Sequence, residues 1–356
     1  MSPLEARFAA RGVAFASLPG GARVPARFGD PAKEHRATRE ACALFDFSFM
    51  GGWEIGGPGA GEALARLQTR ALETLVPGQA AYTLLLREDG TVLNDATAWK
   101  LAADRWWLFT GRPADGEWIA GHARAAGASV AARPPTAILA LQGPASGAVL
   151  AALAGSAAVR ALGWFRFAAI ELPGGPAIVA RLGYTGELGY EILVDAARGP
   201  AMWQALVAAG AAFGLAEAGF EAADSLRIEC GHLLFLRELA RPRRPSEIGL
   251  ARLFTSTHEG LVGGAAARAA SGEPGTRLVG VASLAGEAPP ESPALELTSE
   301  AVSPAYPGTI GLGFAPPAHD RPGTRLRAAD GRAFVVTALD RHDPSRRRAR
   351  ADPLPP

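Results

Sequence analysis

The hydrophobic pattern switches between a period of two and a period of 3.6 along the chain. Tyr82–Leu86 reads as a strand, Arg87–Gly90 as a turn with an Asp-Gly pair, and Thr91–Leu101 as the returning strand of a hairpin. Arg105–Phe109, Trp164–Leu172 and Ala177–Val194 predict further strands. Helical spacing appears over Asp115–Ala126 and over Gly199–Ala212, where Met202, Leu206 and Ala209 share a face. Phe220–Cys230 predicts a helix that opens with acids and stops before Gly231, a residue suited to a C-cap. The pattern breaks at Arg241–Ser246, where two prolines exclude a regular element, and Ser271–Gly275 reads as a linker. Beyond Thr276 come short strands, Leu278–Leu284, Leu295–Val302 and Thr309–Phe314, then a hairpin Arg325–Leu339 turning at Asp330-Gly331. That spacing predicts a small β-barrel or sandwich.

An internal echo sits within the first half. Gly57-Pro58 through Leu67 aligns with Gly143-Pro144 through Leu153, each after a short strand-like run and each opening a helix. Pro near a helix start is preorganised and loses no needed N–H. The echo predicts two similar α+β units.

At 356 residues the chain can hold two or three domains. A net charge of +1 gives no electrostatic footprint for nucleic acid or an anionic membrane. No apolar run approaches the ~18 residues of a spanning helix. Two cysteines, Cys42 and Cys230, make no disulfide framework, and the six histidines show no paired spacing, so no metal site is supported. These features together predict a cytoplasmic protein. The basic run Arg346–Arg350 and the residues to Pro356 read as a disordered tail.

Two carboxylates stand out. Asp95 falls inside a strand, where Asp is depleted, so it either bonds a nearby turn or performs chemistry. Glu187 sits among Gly183, Gly186 and Gly189, spaced three apart in a strand-like run. Glycine weakens a strand, and one reason to keep it is close approach of something flat to the backbone, whose edge the carboxylate could bind. The other reading is a bulged hairpin with Glu187 in water.

Tyr184-Thr-Gly-Glu-Leu-Gly-Tyr-Glu-Ile192 resembles the signature of the glycine cleavage T-protein (aminomethyltransferase) family. Phe45-Asp-Phe-Ser-Phe-Met-Gly51, the Tyr82–Asp95 hairpin, Leu141-Gln-Gly-Pro144, Ala223-Asp-Ser-Leu-Arg-Ile-Glu229 and Ser303-Pro304 with Ile310-Gly311 resemble further family segments, in family order. The resemblance implies an α+β, three-domain fold: residues 1–50 with 138–245, residues 51–137, and a C-terminal β-rich domain over 246–345 that closes a folate channel. It implies tetrahydrofolate as co-substrate, Asp95 as the catalytic anion beside the reactive nitrogens, and Glu187 as the pterin ligand. Arg227, Tyr184, Met50 and Tyr82 match its folate-lining positions. It further implies a one-carbon donor that is either a small methylated molecule or a lipoyl carrier protein. The chain departs from the family at Phe49, where a histidine is usual, at Asn94 of the paired aspartates, and in the Arg241–Ser246 loop. These changes predict an altered donor pocket and tilt the reading toward demethylation. Gly183 stands where folate-binding iron–sulfur-assembly relatives carry a cysteine, which argues against a non-catalytic module.

Overall fold

The computed structural model describes residues 2–18, 21–270 and 272–354; Ser271 of the expected linker and the last two residues of the tail lie outside them. Two sheets face each other. A six-stranded sheet runs in the order Phe167–Leu172, Gly175–Ala180, Gly189–Asp195, Thr136–Gln142, Cys42–Asp46, Leu215–Glu217, antiparallel except for its last pair. A five-stranded antiparallel sheet runs Gln79–Leu86, Val92–Ala102, Arg105–Thr110, Gly51–Gly56, Ser129–Ala132. The chain therefore lays down one interior strand of the first sheet, Cys42–Asp46, then the whole of the second, then returns to complete the first on both sides.

Strand alternation assigns the faces. From the six-stranded sheet, Leu44, Leu139, Leu141, Val179, Tyr190 and Ile192 pack outward with Leu150 and Val149 of helix Ser146–Ala154 and Trp203 and Leu206 of helix Gly199–Gly210. From the five-stranded sheet, Ile55, Ala96 and Ala98 pack outward with Leu64 and Leu67 of helix Ala60–Leu67 and Ile119 and Ala123 of helix Gly116–Ala125. The inward faces meet in a third cluster that includes Phe45, Ile138 and Leu193 from one side and Trp99, Trp107 and Phe109 from the other. Fully burying one such large apolar side chain stabilises by roughly 1.5–3 kcal/mol, which is why both sheets keep a continuous inner apolar patch. The echoed segments occupy equivalent places, each a strand, a turn through a left-handed glycine (Gly57, Gly143) and a helix on the outer layer.

The C-terminal strands Arg277–Glu287, Thr309–Ala315, Ala294–Val302, Arg325–Ala328 and Arg332–Thr337 close into a barrel. It rests on helix Phe220–Glu229 and the tip of the Gln79–Ala102 hairpin through Ile228, Leu84, Leu86, Val92, Ile310, Leu312 and Phe314. No helix among the described residues is long and apolar enough to cross a membrane.

Two expectations change. The single strand expected over Ala177–Val194 is two strands, Gly175–Ala180 and Gly189–Asp195, parted by an irregular turn in which Gly186 takes φ +81°. The tail expected to be disordered folds back onto the first sheet's layer. Arg350 lies 4.2 Å over the Trp164 ring, Arg181 donates to the Ala351 carbonyl, and Leu354 joins the outer cluster. A Cβ at Gly147 would overlap the Pro353 carbonyl, so that glycine makes the tail's seat. Composition reads a basic run as solvated; here Arg350 finds an aromatic partner and Arg348 a carboxylate, Glu187.

Candidate functional site

The inward faces carry the chemistry. In strand Val92–Ala102, Ala96 and Ala98 face the helices and Trp99 faces the opposite sheet, so Asp95 points inward with Trp99. Tyr82, on the neighbouring strand, donates its hydroxyl to Asp95 Oδ2 at 2.9 Å. Burial pushes the Asp95 carboxyl up to about 6, against the pull of that hydrogen bond. Burial and the adjacent Asp95 charge push the Tyr82 phenol well above its ordinary range, so it stays a donor.

The facing sheet contributes a carboxylate that the sequence reading missed. In strand Gly189–Asp195, Tyr190, Ile192 and Val194 face outward and Leu193 inward, so Glu191 points into the same layer as Asp95. Its cross-strand neighbours are Ala140 and Ala180, both small. Glu191 is 7 % exposed and has no hydrogen-bond partner among the described residues. Burial alone pushes it up to about 7. A lone buried carboxylate normally costs free energy with no return in folding, which makes Glu191 a candidate ligand group. The sequence signal was present: Glu191 stands in the middle of an otherwise apolar strand, the same reason that singles out Asp95.

Glu187, expected to hold the ligand, lies elsewhere. Its Oε1 accepts from Arg39 at 2.9 Å, from His342 at 2.6 Å and from Arg348 at 3.3 Å. Burial opposes its charge, but His342, Arg39 and Arg348 outweigh burial and hold the carboxyl below its usual range. The three glycines do not admit a flat ligand. A Cβ at Gly183 or Gly189 would overlap the Gln142 amide, and one at Gly186 would overlap Cys230 Sγ. Gln142 fills that space, accepting from Thr185 Oγ1 at 3.0 Å and donating to the Leu182 carbonyl at 3.3 Å. The spacing is a seat for Gln142 of the Leu141-Gln-Gly-Pro turn.

Arg227 is fully buried and nearly saturated. Its Nε donates to Asp224 at 2.8 Å, its Nη1 to Glu238 and the His232 carbonyl at 3.0 Å each, and its Nη2 to Ser299 of the barrel. Four of its five N–H groups are thus engaged, joining helix Phe220–Glu229 to the barrel. Tyr184 donates its hydroxyl to the Leu233 carbonyl and packs beside His232 and Phe47. Tyr184 and Met50 both lie against the inter-sheet cluster, so the structure brings Asp95, Tyr82, Tyr184 and Met50 to one layer. Phe49 packs edge-on to Phe47 and Phe220 within the same cluster. The Arg241–Ser246 loop, expected to shape the donor pocket, is a joint instead. Arg243 lies 3.7 Å over Phe314 and pairs with Glu296 at 2.7 Å, while its carbonyl accepts the Val92 N–H.

Comparison with known proteins agrees with this architecture. The family model for the GCVT N-terminal domain matches residues 4–257. The chain belongs to the glycine cleavage T-protein family. It is 34% identical over 338 residues to an aminomethyltransferase of Streptomyces coelicolor, covering 89% of this chain and 90% of that one. It is 33% identical over 358 residues to the aminomethyltransferase of Symbiobacterium thermophilum, covering 95% and 94%. The fold matches the glycine cleavage system aminomethyltransferase T of Bartonella henselae with a TM-score of 0.81 at 25% identity, over 95% of this chain and 96% of that one. The T-protein fold, with its closed five-stranded C-terminal barrel, is therefore that of this family.

Proposed function

We propose that this family member is a tetrahydrofolate-dependent aminomethyltransferase whose site is the layer between the two sheets. The observation that carries the reading is the pair Asp95 and Glu191, projected from opposite sheets into one layer, both held well above ordinary carboxylate values by burial. The polar edge of a reduced folate matches the chemistry of these two carboxylates. Its planar pterin edge presents adjacent N–H donors, which the unpartnered Glu191 carboxylate would accept, and Ala140 and Ala180 leave that carboxylate uncrowded. Tetrahydrofolate supplies a nucleophilic nitrogen when bound.

The chain's own residues then have distinct tasks. With a value of about 6, Asp95 is mainly anionic at neutral pH, so it stabilises positive charge near its oxygens and takes up or releases a proton within the working range. Tyr82 keeps that carboxylate oriented through a hydroxyl that does not ionise. Tyr184 and Met50 wall the layer with apolar surface. Glu187 and Arg227 brace the site rather than touch the ligand, tying the first domain to the tail and to the barrel.

The donor reading follows the relatives, which are named aminomethyltransferases. Phe49 lies in the aromatic core and Arg243 in the barrel joint, so neither supports a special pocket for small methylated donors. We therefore favour an aminomethyl group carried on a lipoyl protein. The test incubates the protein with tetrahydrofolate and aminomethylated lipoyl carrier, and separately with N-, S- and O-methyl compounds, reading the folate product by mass and ammonia by coupled assay. Folate product with ammonia release from the carrier alone is expected. Product from a small methyl donor and none from the carrier would overturn the donor reading; no folate product from either would overturn the whole. Asp95→Asn, nearly isosteric, should cut turnover by 10²-fold or more with little change in melting.

A further inference from the structure

Asn94 points away from Asp95, toward the helix-covered side of the five-stranded sheet, and is fully buried. Both ends of its amide are used. Nδ2 donates to Asp115 Oδ2 at 2.7 Å, and Oδ1 accepts the main-chain N–H of Asp95 at 2.9 Å. A carboxylate can only accept and a peptide N–H can only donate, so these partners fix the amide in one orientation. The strand is irregular at this point. Leu85 pairs with Asn94 but Leu86 pairs with Val92, leaving Leu93 as a bulge. Bulges re-aim the side chains beside them, and here the next two are Asn94 and Asp95.

Asp115 ends the short turn Pro113–Asp115 and precedes helix Gly116–Ala125, and it is 2 % exposed. Its counter-charge is Arg112, with Nε 3.4 Å from Oδ1 and a side chain 29 % exposed. The hydrogen-bond partner that faces Asp95 is Tyr82 on the neighbouring strand; the further groups whose charge or dipole acts on this pair are Tyr184 in the turn before Gly189, Glu238 in the short helix Phe235–Glu238, Arg252, and Asp115 behind the strand. Glu191 looks into the same layer from the facing sheet.

We propose that Asn94 and Asp115 are positioning residues for Asp95: Asn94 clamps the backbone that carries it, and Asp115 places behind it a negative charge that Arg112 partly offsets. This inference rests on Asp95 being the anion of the proposed reaction, yet its geometry concerns the free protein. It makes two predictions of opposite sign. Removing the Asp115 charge should make Asp95 more acidic, and removing the Arg112 charge should make it less so.

The experiment follows Asp95 directly in the ligand-free protein. Aspartates are labelled with carbon-13 at the side-chain carboxyl, and the Asp95 resonance is identified by its loss in Asp95→Asn. In Asp115→Asn its titration midpoint should fall by at least about 0.3 unit, a twofold change in proton affinity. In Arg112→Gln it should rise. A turn that merely pins the helix to the sheet would lower the melting temperature of both variants and leave both midpoints unmoved. Unmoved midpoints, or shifts of the same sign, overturn the proposal. If Asp115→Asn does not fold, Arg112→Gln decides alone, a rise supporting the proposal and no rise overturning it. Because turnover is not read, failure of the proposed reaction shows separately, as absence of folate product.

Discussion

Replacing Glu191 by Gln should make the ligand-free protein more stable at high pH while weakening folate binding. Folding raises this carboxyl from 4.5 to about 7. The folded state therefore binds the proton more tightly than the unfolded state, and stability falls as pH climbs between those values. The full shift is about 2.5 units, or about 3.4 kcal/mol at 1.36 kcal/mol per unit. Between pH 5 and pH 8.5, integration gives about 2.5 kcal/mol that the wild type loses and the Gln variant does not. Any fixed cost of burying the amide appears at both pH values and cancels in the comparison. At 2.1 cal/mol/K per residue, unfolding 356 residues carries about 0.75 kcal/mol/K, so the variant's melting temperature should gain about 3 °C on the wild type between the two pH values. Scanning calorimetry at pH 5 and 8.5 measures this. Titration calorimetry with tetrahydrofolate should show affinity reduced by about 1.5–3 kcal/mol in the same variant. A difference in melting temperature that is the same at both pH values would refute the reasoning, because Glu191 would then titrate as it does in an unfolded chain.

Glu187→Gln should behave in the opposite sense, costing about 1–3 kcal/mol, because buried Arg39 loses one of its two carboxylate partners and keeps Glu229, while His342 and the half-exposed Arg348 lose an acceptor. Its carboxyl is held low, so the contribution it removes is present above the ordinary carboxylate range and fades on acidification; denaturant unfolding at pH 7 and pH 3 should show the penalty shrinking. Gly183→Ala should destabilise by about 1–3 kcal/mol because its Cβ overlaps the Gln142 amide, and the double variant with Gln142→Ala should recover part of the loss; simple additivity in urea unfolding would show that Gln142 is not the obstacle.

What the sequence disclosed was local. The turn at Arg87–Gly90, the barrel strands and the helix that stops before Gly231 depend on neighbours within a few residues, and each lies where the pattern predicts. Asp95 was legible because a carboxylate inside a strand is conspicuous. The surroundings of Glu187 were not legible for the converse reason: they are set by residues 39, 342 and 348, which no spacing rule connects to it. The glycines beside it signalled close packing truthfully, but the occupant, Gln142, is some forty residues upstream. Glu191 was passed over because it lacks flanking glycines, although its apolar strand neighbours are the stronger sign. The tail shows the limit of composition. Its arginines are no different from solvated ones until Trp164 and Glu187 are in place.

The position of that tail bears on the order in which the protein can mature. A growing chain presents Glu187, Arg39 and Glu229 long before His342 and Arg348 are made. Until they emerge, the buried Glu187 carboxylate has only Arg39 of its three side-chain donors. The N-terminal half is therefore synthesised early but finished late, when His342 and Arg348 close on a carboxylate made 155 and 161 residues before them.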